Sequence, residues 1–530
     1  MLKRWIGLLG SSLAVVAIAP ALAAEISSLG ERGIGALRLQ AAPYNLLGRK
    51  IGIGQVEIGR PSKFGVDKTS PQNRTTMVES VFHQNEAAKA NTLVDEHAMM
   101  VASVMVSRDK TIPGVAPGAK LYSSAVGEMQ KDGQAQECLS SQHVALQNSG
   151  DVRAINFSFG EPLQRDPREN PTLDGNALLT LCIDWSARVH DTLYLIAGNQ
   201  GSGGIPIPTD NYNGVNVAST MRRDGWFAKL DFSNLSDLPM GIGRRLIERE
   251  INAGERRAIA LVAPGHQIDT YNLEGKKVRV TGTSFATPHV TASVALLQEY
   301  GDRQIAKSTP NWSPDARHSD VMKVVLLNSA DKVKDKGDGL LLGMERTTLD
   351  KEDKTWLDGD AYNNPKIPLD IEMGTGHLNV FRAYQQFSPG QWSPETPVPA
   401  IGWDYRSIEA EQNRDYVLDK PLKAGSYAAV TLAWQRQVEL EDKNGNERYD
   451  IGEEFRDLGL NNLDVYLMKA DSDDPDEQLC ASTSEVDSTE HIFCQVPETG
   501  RYKIRVRYRQ QANEATQPYA LAWWTASNNQ

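Results

Sequence analysis

GTSFATPHV, residues 282–290, is the stretch of sequence on which the fold prediction depends. A strand-like run, residues 277–280, precedes it, and apolar residues from Val290 to Leu297 follow it at helical spacing. Ser284 is therefore predicted at the N-terminus of a helix. Unpaired N–H groups and the helix dipole at such a position can hold an anion, for example the oxyanion of a tetrahedral acyl intermediate. For a lone serine, the alternative is an ordinary N-cap.

The full string resembles the nucleophile motif of the subtilisin-like serine proteases (subtilases), which is long and specific. This resemblance implies that Ser284 is the nucleophile of a peptidase. A serine nucleophile needs a base, because its hydroxyl is barely ionised at neutral pH. His97 opens a run that resembles the subtilase histidine motif and is predicted to be that base. Val101 and Ala102 match the motif, whereas residues 98–100 and 103 depart from it.

The predicted acid partner of His97 departs from the family pattern. Residues 51–59 alternate apolar and small residues and end at a glycine, which predicts a buried strand running into a turn. The run resembles the first subtilase strand, which ends in Asp, but this chain has Glu57 at that position. A Glu carboxylate can also orient and stabilise an imidazolium. Asp67, beyond the turn, is the other candidate. The order acid, His, Ser is that of subtilisin.

Two further strand ends complete the predicted site. Residues 193–197 are apolar and lead into Gly198 and Asn199, which resembles the subtilase oxyanion-hole motif. The resemblance implies that the Asn199 amide donates to the oxyanion, while a plain turn residue is the alternative. The segment 154–160 resembles the strand that pairs with substrate. Its last three residues are predicted to bind the substrate backbone: Ser158, Phe159 and Gly160.

The chain of 530 residues is long enough for two or three domains. The subtilase resemblance covers residues 45–388, where alternating strand-like and helix-like runs predict an α/β fold with a parallel sheet flanked by helices. A Pro-rich linker follows at 389–400. Short alternating apolar runs in 401–530 then predict a C-terminal all-β sandwich.

Residues 1–24 resemble a secretory signal peptide, with a basic start, an apolar run and small residues for cleavage; a signal anchor is the alternative. No later segment is long and apolar enough to span a membrane. The mature chain is therefore predicted to be secreted, extracellular or periplasmic. The four cysteines fall two to each region, so the simplest pairing is Cys138 with Cys182 and Cys480 with Cys494. Free buried thiols are the alternative.

The net charge of −12, with no basic stripe, disfavours nucleic acid as a partner. One acidic stretch resembles a calcium loop, because oxygen-bearing side chains recur along it. Its candidate ligands are Asp442, Asn444, Asn446, Asp450 and Glu453. A solvated acidic turn is the alternative.

The sequence thus predicts a secreted serine endopeptidase that hydrolyses proteins or peptides through Glu57, His97 and Ser284. Two alternatives stay open. One is a subtilase-fold binding protein with impaired catalysis, because the acid and the histidine motif are both altered. The other is an acid-active relative of the sedolisin proteases, which the presence of a histidine disfavours.

Overall fold

The fold is taken from a computed structural model, which describes residues 28–68, 74–127, 133–198, 207–230, 256–474 and 477–527. The predicted signal peptide (1–24) and Asn199 lie outside these residues. The regular α-helices in the described parts of the chain are α1 (Ala36–Gln40), α2 (Glu96–Val106), α3 (Gln134–Ala145), α4 (Leu178–Val189), α5 (Thr283–Ala306), α6 (Ser319–Asn328), α7 (Asp360–Asn363) and α8 (Val380–Phe387). A short irregular helical segment, Gln147–Gly150, follows α3.

The strands up to the predicted linker are β1 (Gly52–Glu57), β2 (Ser80–His83), β3 (Glu86–Ala87), β4 (Lys120–Ala125), β5 (Val152–Phe157), β6 (Leu193–Ala197), β7 (Val215–Arg223), β8 (Trp226–Lys229), β9 (Leu261–Pro264), β10 (Ile268–Tyr271), β11 (Lys277–Val280) and β12 (Thr348–Leu349). Those beyond it are β13 (Ile401–Glu409), β14 (Asn413–Val417), β15 (Tyr427–Trp434), β16 (Val438–Glu441), β17 (Glu454–Asp457), β18 (Asn462–Lys469), β19 (Gln478–Ser482), β20 (Thr489–Gln495), β21 (Tyr502–Gln510) and β22 (Thr516–Trp524).

A mixed sheet, parallel in its central strands, lies at the centre of the part of the chain that precedes the predicted linker. Its strand order is β12-β8-β7-β6-β5-β1-β4-β2-β3, and β9 also pairs with β7. The strands from β2 to β7 along this order pair in parallel. Every residue of β1 is buried, which is expected for a parallel strand covered on both faces. The α/β prediction is confirmed.

Helices cover both faces of this sheet, and successive side chains of the central strands serve opposite faces. On one face, Leu195 of β6 packs in a core shared with α2 and α5. On the other face, Ile196 packs in a core shared with α3 and α4. The long helix α5 is buried along nearly all of its first five turns and contacts β5, β6 and β7. Its N-terminus therefore has a fixed place relative to the strand ends.

Two antiparallel sheets make up the C-terminal part, in the orders β13-β22-β15-β20 and β14-β21-β18-β19. Alternate side chains of both sheets meet in one apolar core, including Leu432, Val465 and Leu521. The all-β character predicted for this part is confirmed. A separate hairpin, β16–β17, carries the acidic loop between its strands.

The C-terminal sheets pack directly on the part of the chain that forms the mixed sheet. Helix α6 contacts both β15 and β22. A buried polar chain crosses this contact: Thr431 Oγ1 donates to Asn328 Oδ1 (3.0 Å), and Asn328 Nδ2 donates to Gln386 Oε1 (2.7 Å). Gln386 then donates to the carbonyls of Gly402 and Trp523, each at 2.9 Å. The two parts therefore share one continuous interior.

Arg436 is the main charged anchor between the two parts. It is 2% exposed and lies 3.3 Å from the fully buried carboxylate of Asp184 on α4. It also donates to the Gly175 carbonyl (2.7 Å) and to Asn176 Oδ1 (2.9 Å). Burial raises the pKa of Asp184 and the charge of Arg436 lowers it, which makes the pair interdependent.

Both predicted disulfides are present: Cys138–Cys182 joins α3 to α4, and Cys480–Cys494 joins β19 to β20. The described residues contain no free cysteine. No helix in the same residues is both long enough and apolar enough to cross a membrane.

Arg436→Met should lower the melting temperature substantially, because it leaves the buried Asp184 carboxylate without its cation; a cost of about 3 kcal/mol is expected. Arg456→Met is the matched control. Arg456 pairs with Glu439 on the same hairpin, but it is exposed, so its loss should change little. Thermal unfolding of the two variants measures this. Equal shifts would show that Arg436 does not anchor the C-terminal part.

Candidate active site

Three adjacent parallel strands end at one edge of the sheet. Glu57 is the last residue of β1, Ser158 directly follows β5, and Gly198 directly follows β6. Because carboxyl ends of neighbouring parallel strands meet, these positions lie side by side. Gly198 leads into Asn199, whose own position is outside the described residues.

The end of β1 is tied to the start of α2 by backbone hydrogen bonds. The Arg60 N–H donates to the Leu93 carbonyl (2.8 Å), and the Asp95 N–H donates to the Arg60 carbonyl (2.9 Å). Gly59 permits this approach, because a Cβ there would lie 2.3 Å from the Cβ of Asp95. Asp95 in turn caps α2 by accepting from the Ala98 N–H at 2.8 Å. His97, the second residue of α2, is therefore held near Glu57.

Glu57 and His97 form the acid–base contact of the site. His97 Nδ1 lies 3.2 Å from Glu57 Oε2, with the Glu57 side chain 3% exposed and the His97 side chain 37% exposed. A carboxylate accepts a hydrogen bond from Nδ1–H, which keeps the proton on Nδ1 and leaves Nε2 unprotonated, free to act as a base. The arrangement can hold a histidine in the tautomer that general-base catalysis requires.

The charge of Glu57 also changes the proton affinity of His97. Burial lowers the pKa of His97, but the charge of Glu57, their hydrogen bond and the charge of Asp95 raise it. The net result is a pKa above the ordinary histidine value. The neutral, proton-accepting form is therefore reached at a higher pH than for a free histidine.

Ser284 lies in the first turn of α5, after Gly282 at φ 156° and Thr283. It is 5% exposed. Within the described chain its hydroxyl donates to the Ser158 carbonyl (3.3 Å) and not to His97. The ring of its neighbour Phe285 lies 5.5 Å from the His97 ring, centroid to centroid. The ring of Phe285 thus brings the first turn of α5, which carries Ser284, close to His97.

Pro288 explains a second link between Ser158 and Ser284. Proline has no N–H, so the carbonyl of Ser284, four residues earlier, has no helical donor. The hydroxyl of Ser158 donates to it instead, at 3.1 Å. Asn156 Nδ2 donates to that same hydroxyl at 2.8 Å. Ser158 and Ser284 are therefore joined by two hydrogen bonds that fix the end of β5 against the start of α5.

The three residues predicted to bind the substrate backbone are all buried. Ser158 and Phe159 are 2% and 5% exposed, and Phe159 stacks on Phe157 at 4.2 Å between ring centroids. Gly160 is buried next to them. The Ser158 side chain faces Ser284, which gives it a positioning role that the sequence did not indicate. A role in binding substrate backbone stays a prediction for these three residues.

Asp67, the alternative acid, is bound elsewhere. Its two oxygens accept from Arg60 at 2.7 and 2.9 Å, and from the backbone N–H groups of Lys63 and Asn91. Burial raises the pKa of Asp67, but the hydrogen bonds from Arg60, Lys63 and Asn91 together outweigh burial. The net result is a pKa below the ordinary aspartate value. Of the two candidate acids, Glu57 is the one in contact with His97.

The acidic loop of the β16–β17 hairpin is held by its own hydrogen bonds. Asp442 accepts from the N–H groups of Gly445 and Glu447, each at 2.7 Å, and Asp450 accepts from the side chains of Asn444 and Asn446. Among the described residues, no three His, Cys, Asp or Glu side chains converge in a way that could hold a metal ion. The calcium assignment stays a prediction.

Comparison with known families decides the classification. The family model described as "Subtilase family" matches residues 62–344, more than half of the chain. The chain belongs to the subtilase family of serine-type peptidases. The matched residues include His97 and Ser284 but begin after Glu57, so the identity of the acid rests on the geometry described above.

Individual subtilases are distant relatives. The chain is 23% identical to the major intracellular serine protease of Bacillus subtilis over 253 residues, which is 46% of this chain and 68% of the relative. It is 27% identical to subtilisin E of Bacillus subtilis over 203 residues, which is 38% of this chain and 45% of that protein. The chain thus spans about two thirds of the first relative and less than half of the second.

Solved structures also match over long segments. The prenylagaramide maturation protease PagA matches with a TM-score of 0.38 and 19% identity, over 63% of this chain and 92% of PagA. MycP1 from Mycobacterium smegmatis matches with a TM-score of 0.38 and 14% identity, over 66% of this chain and 83% of MycP1.

The contact between Glu57 and His97 can be tested without measuring activity. In a Ser284→Ala background, Glu57→Gln should lower the pKa of His97 by about 1–2 units, because it removes the negative charge that favours the imidazolium. NMR titration of labelled histidines gives this pKa, with His97→Ala to assign the signal. Asp67→Asn is the matched control and should leave it unchanged. If Asp67→Asn lowered the pKa of His97 and Glu57→Gln left it unchanged, Asp67 would be the partner of His97.

Proposed function

We propose that this protein is a secreted serine endopeptidase that uses Ser284, His97 and Glu57 to form and hydrolyse an acyl-enzyme. The observation that carries the proposal is the 3.2 Å contact between Glu57 and His97, beside the helix N-terminus that bears Ser284. Two disulfides agree with an oxidising compartment, which supports secretion.

In the proposed reaction, Ser284 first releases the Ser158 carbonyl and turns its hydroxyl toward His97. As Oγ bonds to the peptide carbonyl carbon, Nε2 of His97 takes the hydroxyl proton and Glu57 stabilises the imidazolium. The oxyanion is held by the Ser284 N–H at the start of α5 and by the Asn199 amide. His97 then returns the proton to the leaving amine, and water hydrolyses the ester.

The altered motif leaves a binding protein with impaired catalysis as the competing hypothesis. The present hydrogen bond of Ser284 to Ser158, rather than to His97, favours that hypothesis. The tautomer-setting contact of His97 with Glu57 favours the enzyme, because a binding surface has no need of it. An acid-active enzyme that relies on a carboxylate base gains no support from an assembled His–Glu pair.

Ser284→Ala should abolish hydrolysis of a denatured protein substrate, with a loss in kcat of at least about 10³-fold and no change in melting temperature. His97→Ala should be comparably severe, because triad members act together. Ser293→Ala is the matched control: its hydroxyl donates to the His289 carbonyl within the same buried helix, away from the site. Full activity in Ser284→Ala would refute the proposal.

We also propose that the acidic loop binds calcium. Asp442, Asn444, Asn446, Asp450 and Glu453 occupy positions one, three, five, nine and twelve of a twelve-residue stretch, the ligand spacing of an EF-hand loop. Position six, a glycine in such loops, is Glu447, and it has the left-handed φ of 59°. These side chains supply the oxygen donors that calcium prefers, although most of them now accept N–H groups of the loop.

The loop also contacts the peptidase region. The Tyr449 N–H donates to Gln142 Oε1 (2.6 Å), and Gln142 Nε2 donates to the Tyr449 carbonyl (3.0 Å), which joins the loop to α3. Calcium would therefore stiffen a segment that packs on the Cys138–Cys182 disulfide and its neighbours.

Millimolar calcium should raise the melting temperature of the Ser284→Ala protein by about 2 °C or more, by mass action on the folded state. Asp442→Ala should remove this increment. Asp471→Ala, an exposed aspartate of the same C-terminal part, should keep it. Equal increments in all three proteins, or none in the parent, would favour a plain acidic turn.

A further inference from the structure

A polar groove lies on the outer side of the C-terminal sheet β14-β21-β18-β19. Its volume is about 410 Å³, within the range of small-ligand sites. Strand β18 forms part of its wall: Leu463, Val465 and Leu467 enter the apolar core, so the alternate residues Asn462, Asp464 and Tyr466 line the groove. The groove is therefore built on a rigid strand.

Asp464 is buried in the wall of this groove without full compensation. Its side chain is completely buried, and its Oδ2 accepts from the Tyr466 hydroxyl at 2.7 Å, with Arg509 Nη1 at 3.9 Å. In the described part of the chain, its Oδ1 is also buried and has no hydrogen-bond partner. Burial raises the pKa of Asp464, whereas the hydrogen bond from Tyr466 and the charges of nearby arginines lower it. Burial has the larger effect, so the pKa lies above the ordinary aspartate value. A buried carboxylate oxygen without a donor is costly and calls for a donor from outside.

Asn462 repeats the pattern two residues earlier. Its Oδ1 is also buried and lacks a partner among the described residues. Because Asn462 and Asp464 both line the groove, two buried acceptor atoms that each lack a donor lie in its wall. A ligand with at least two N–H or O–H groups fits this requirement.

The charges around the groove restrict the ligand further. Lys366, Arg507 and Arg509 contribute three positive charges, whereas Asp464 and Glu485 contribute two negative ones. A cationic peptide would meet three like charges, and an anion would approach two carboxylates. Hydroxyl groups donate one hydrogen bond and accept two, so a neutral polyol satisfies both the acceptors and the surrounding arginines and lysine.

A second groove on the same C-terminal part shows what distinguishes the first. It is larger, about 510 Å³, and is lined by Lys469, Glu498 and Arg501 among others. Lys469 and Glu498 pair with each other at 2.6 Å. None of the buried, partnerless polar side-chain atoms in the described residues belongs to its lining. Size and charge alone therefore do not single out the first groove; the unpaired acceptors do.

We propose that the groove around Asp464 binds a neutral saccharide of one or two rings, whose hydroxyls donate to Asp464 and Asn462 and accept from Arg507 and Arg509. The site is separate from Ser284 and His97 and does not depend on peptidase activity. It would tether the protein to glycans or polysaccharide while leaving the peptidase region unoccupied.

The test is calorimetric titration of the full-length Ser284→Ala protein with cellobiose, maltose, lactose and N,N′-diacetylchitobiose at millimolar concentrations. At least one of the four should bind. Asp464→Asn keeps the shape and the bond from Tyr466 but replaces one acceptor by a donor, so it should weaken binding by about tenfold. Arg509→Ala, at an exposed position, should also weaken it. Glu498→Ala, in the second groove, is the matched control and should bind normally.

Melting temperatures establish that each variant is folded. Trilysine and citrate, titrated in parallel, represent cationic and anionic ligands. The proposal is overturned if none of the four saccharides binds, or if trilysine or citrate binds more tightly than all of them. It is also overturned if Asp464→Asn and Arg509→Ala, both folded, bind as the parent does, or if Glu498→Ala loses as much affinity as Asp464→Asn.

Discussion

The hydrogen bonds that join Arg60 to Leu93 and Asp95 are the constraint on which the candidate site depends. They place the end of β1 against the start of α2, and Gly59 makes that approach sterically possible. They bring the buried carboxylate of Glu57, at the end of a strand, close to His97, at the start of a helix. Arg60 also forms a buried ion pair with Asp67, which engages both oxygens of this aspartate, whereas Glu57 is the acid in contact with His97.

The second constraint is the pairing of Ser158 with Ser284. Pro288 opens the first turn of α5 to an outside donor, and Ser158 supplies it. The backbone carbonyl of the same serine accepts a hydrogen bond from the Ser284 hydroxyl. One residue at the end of β5 thus fixes the start of α5 and engages the hydroxyl of Ser284, the proposed nucleophile. The proposed reaction therefore begins with Ser284 giving up this hydrogen bond.

Local sequence predicted the parts of this site that short motifs specify. The string at 282–290, His97 in its helix, the buried strand ending at Glu57 and both disulfides could be read from residue order and spacing. The contacts that join distant segments could not. Asn328 bonds to Thr431 across more than a hundred residues, and Arg436 reaches Asp184 across 252. The unpaired oxygen of Asp464 depends on which strands pair and on what covers them, which no local pattern encodes. Asn199 is predicted by its motif alone.

The most direct test of the central claim is reaction of the wild-type protein with a fluorophosphonate probe, followed by mass spectrometry to locate the modified residue. Such a probe reacts with a serine only when a neighbouring base activates it. The account predicts one modified residue, Ser284, and a large loss of labelling in His97→Ala. Modification of another serine, or no modification of the folded protein, would contradict it.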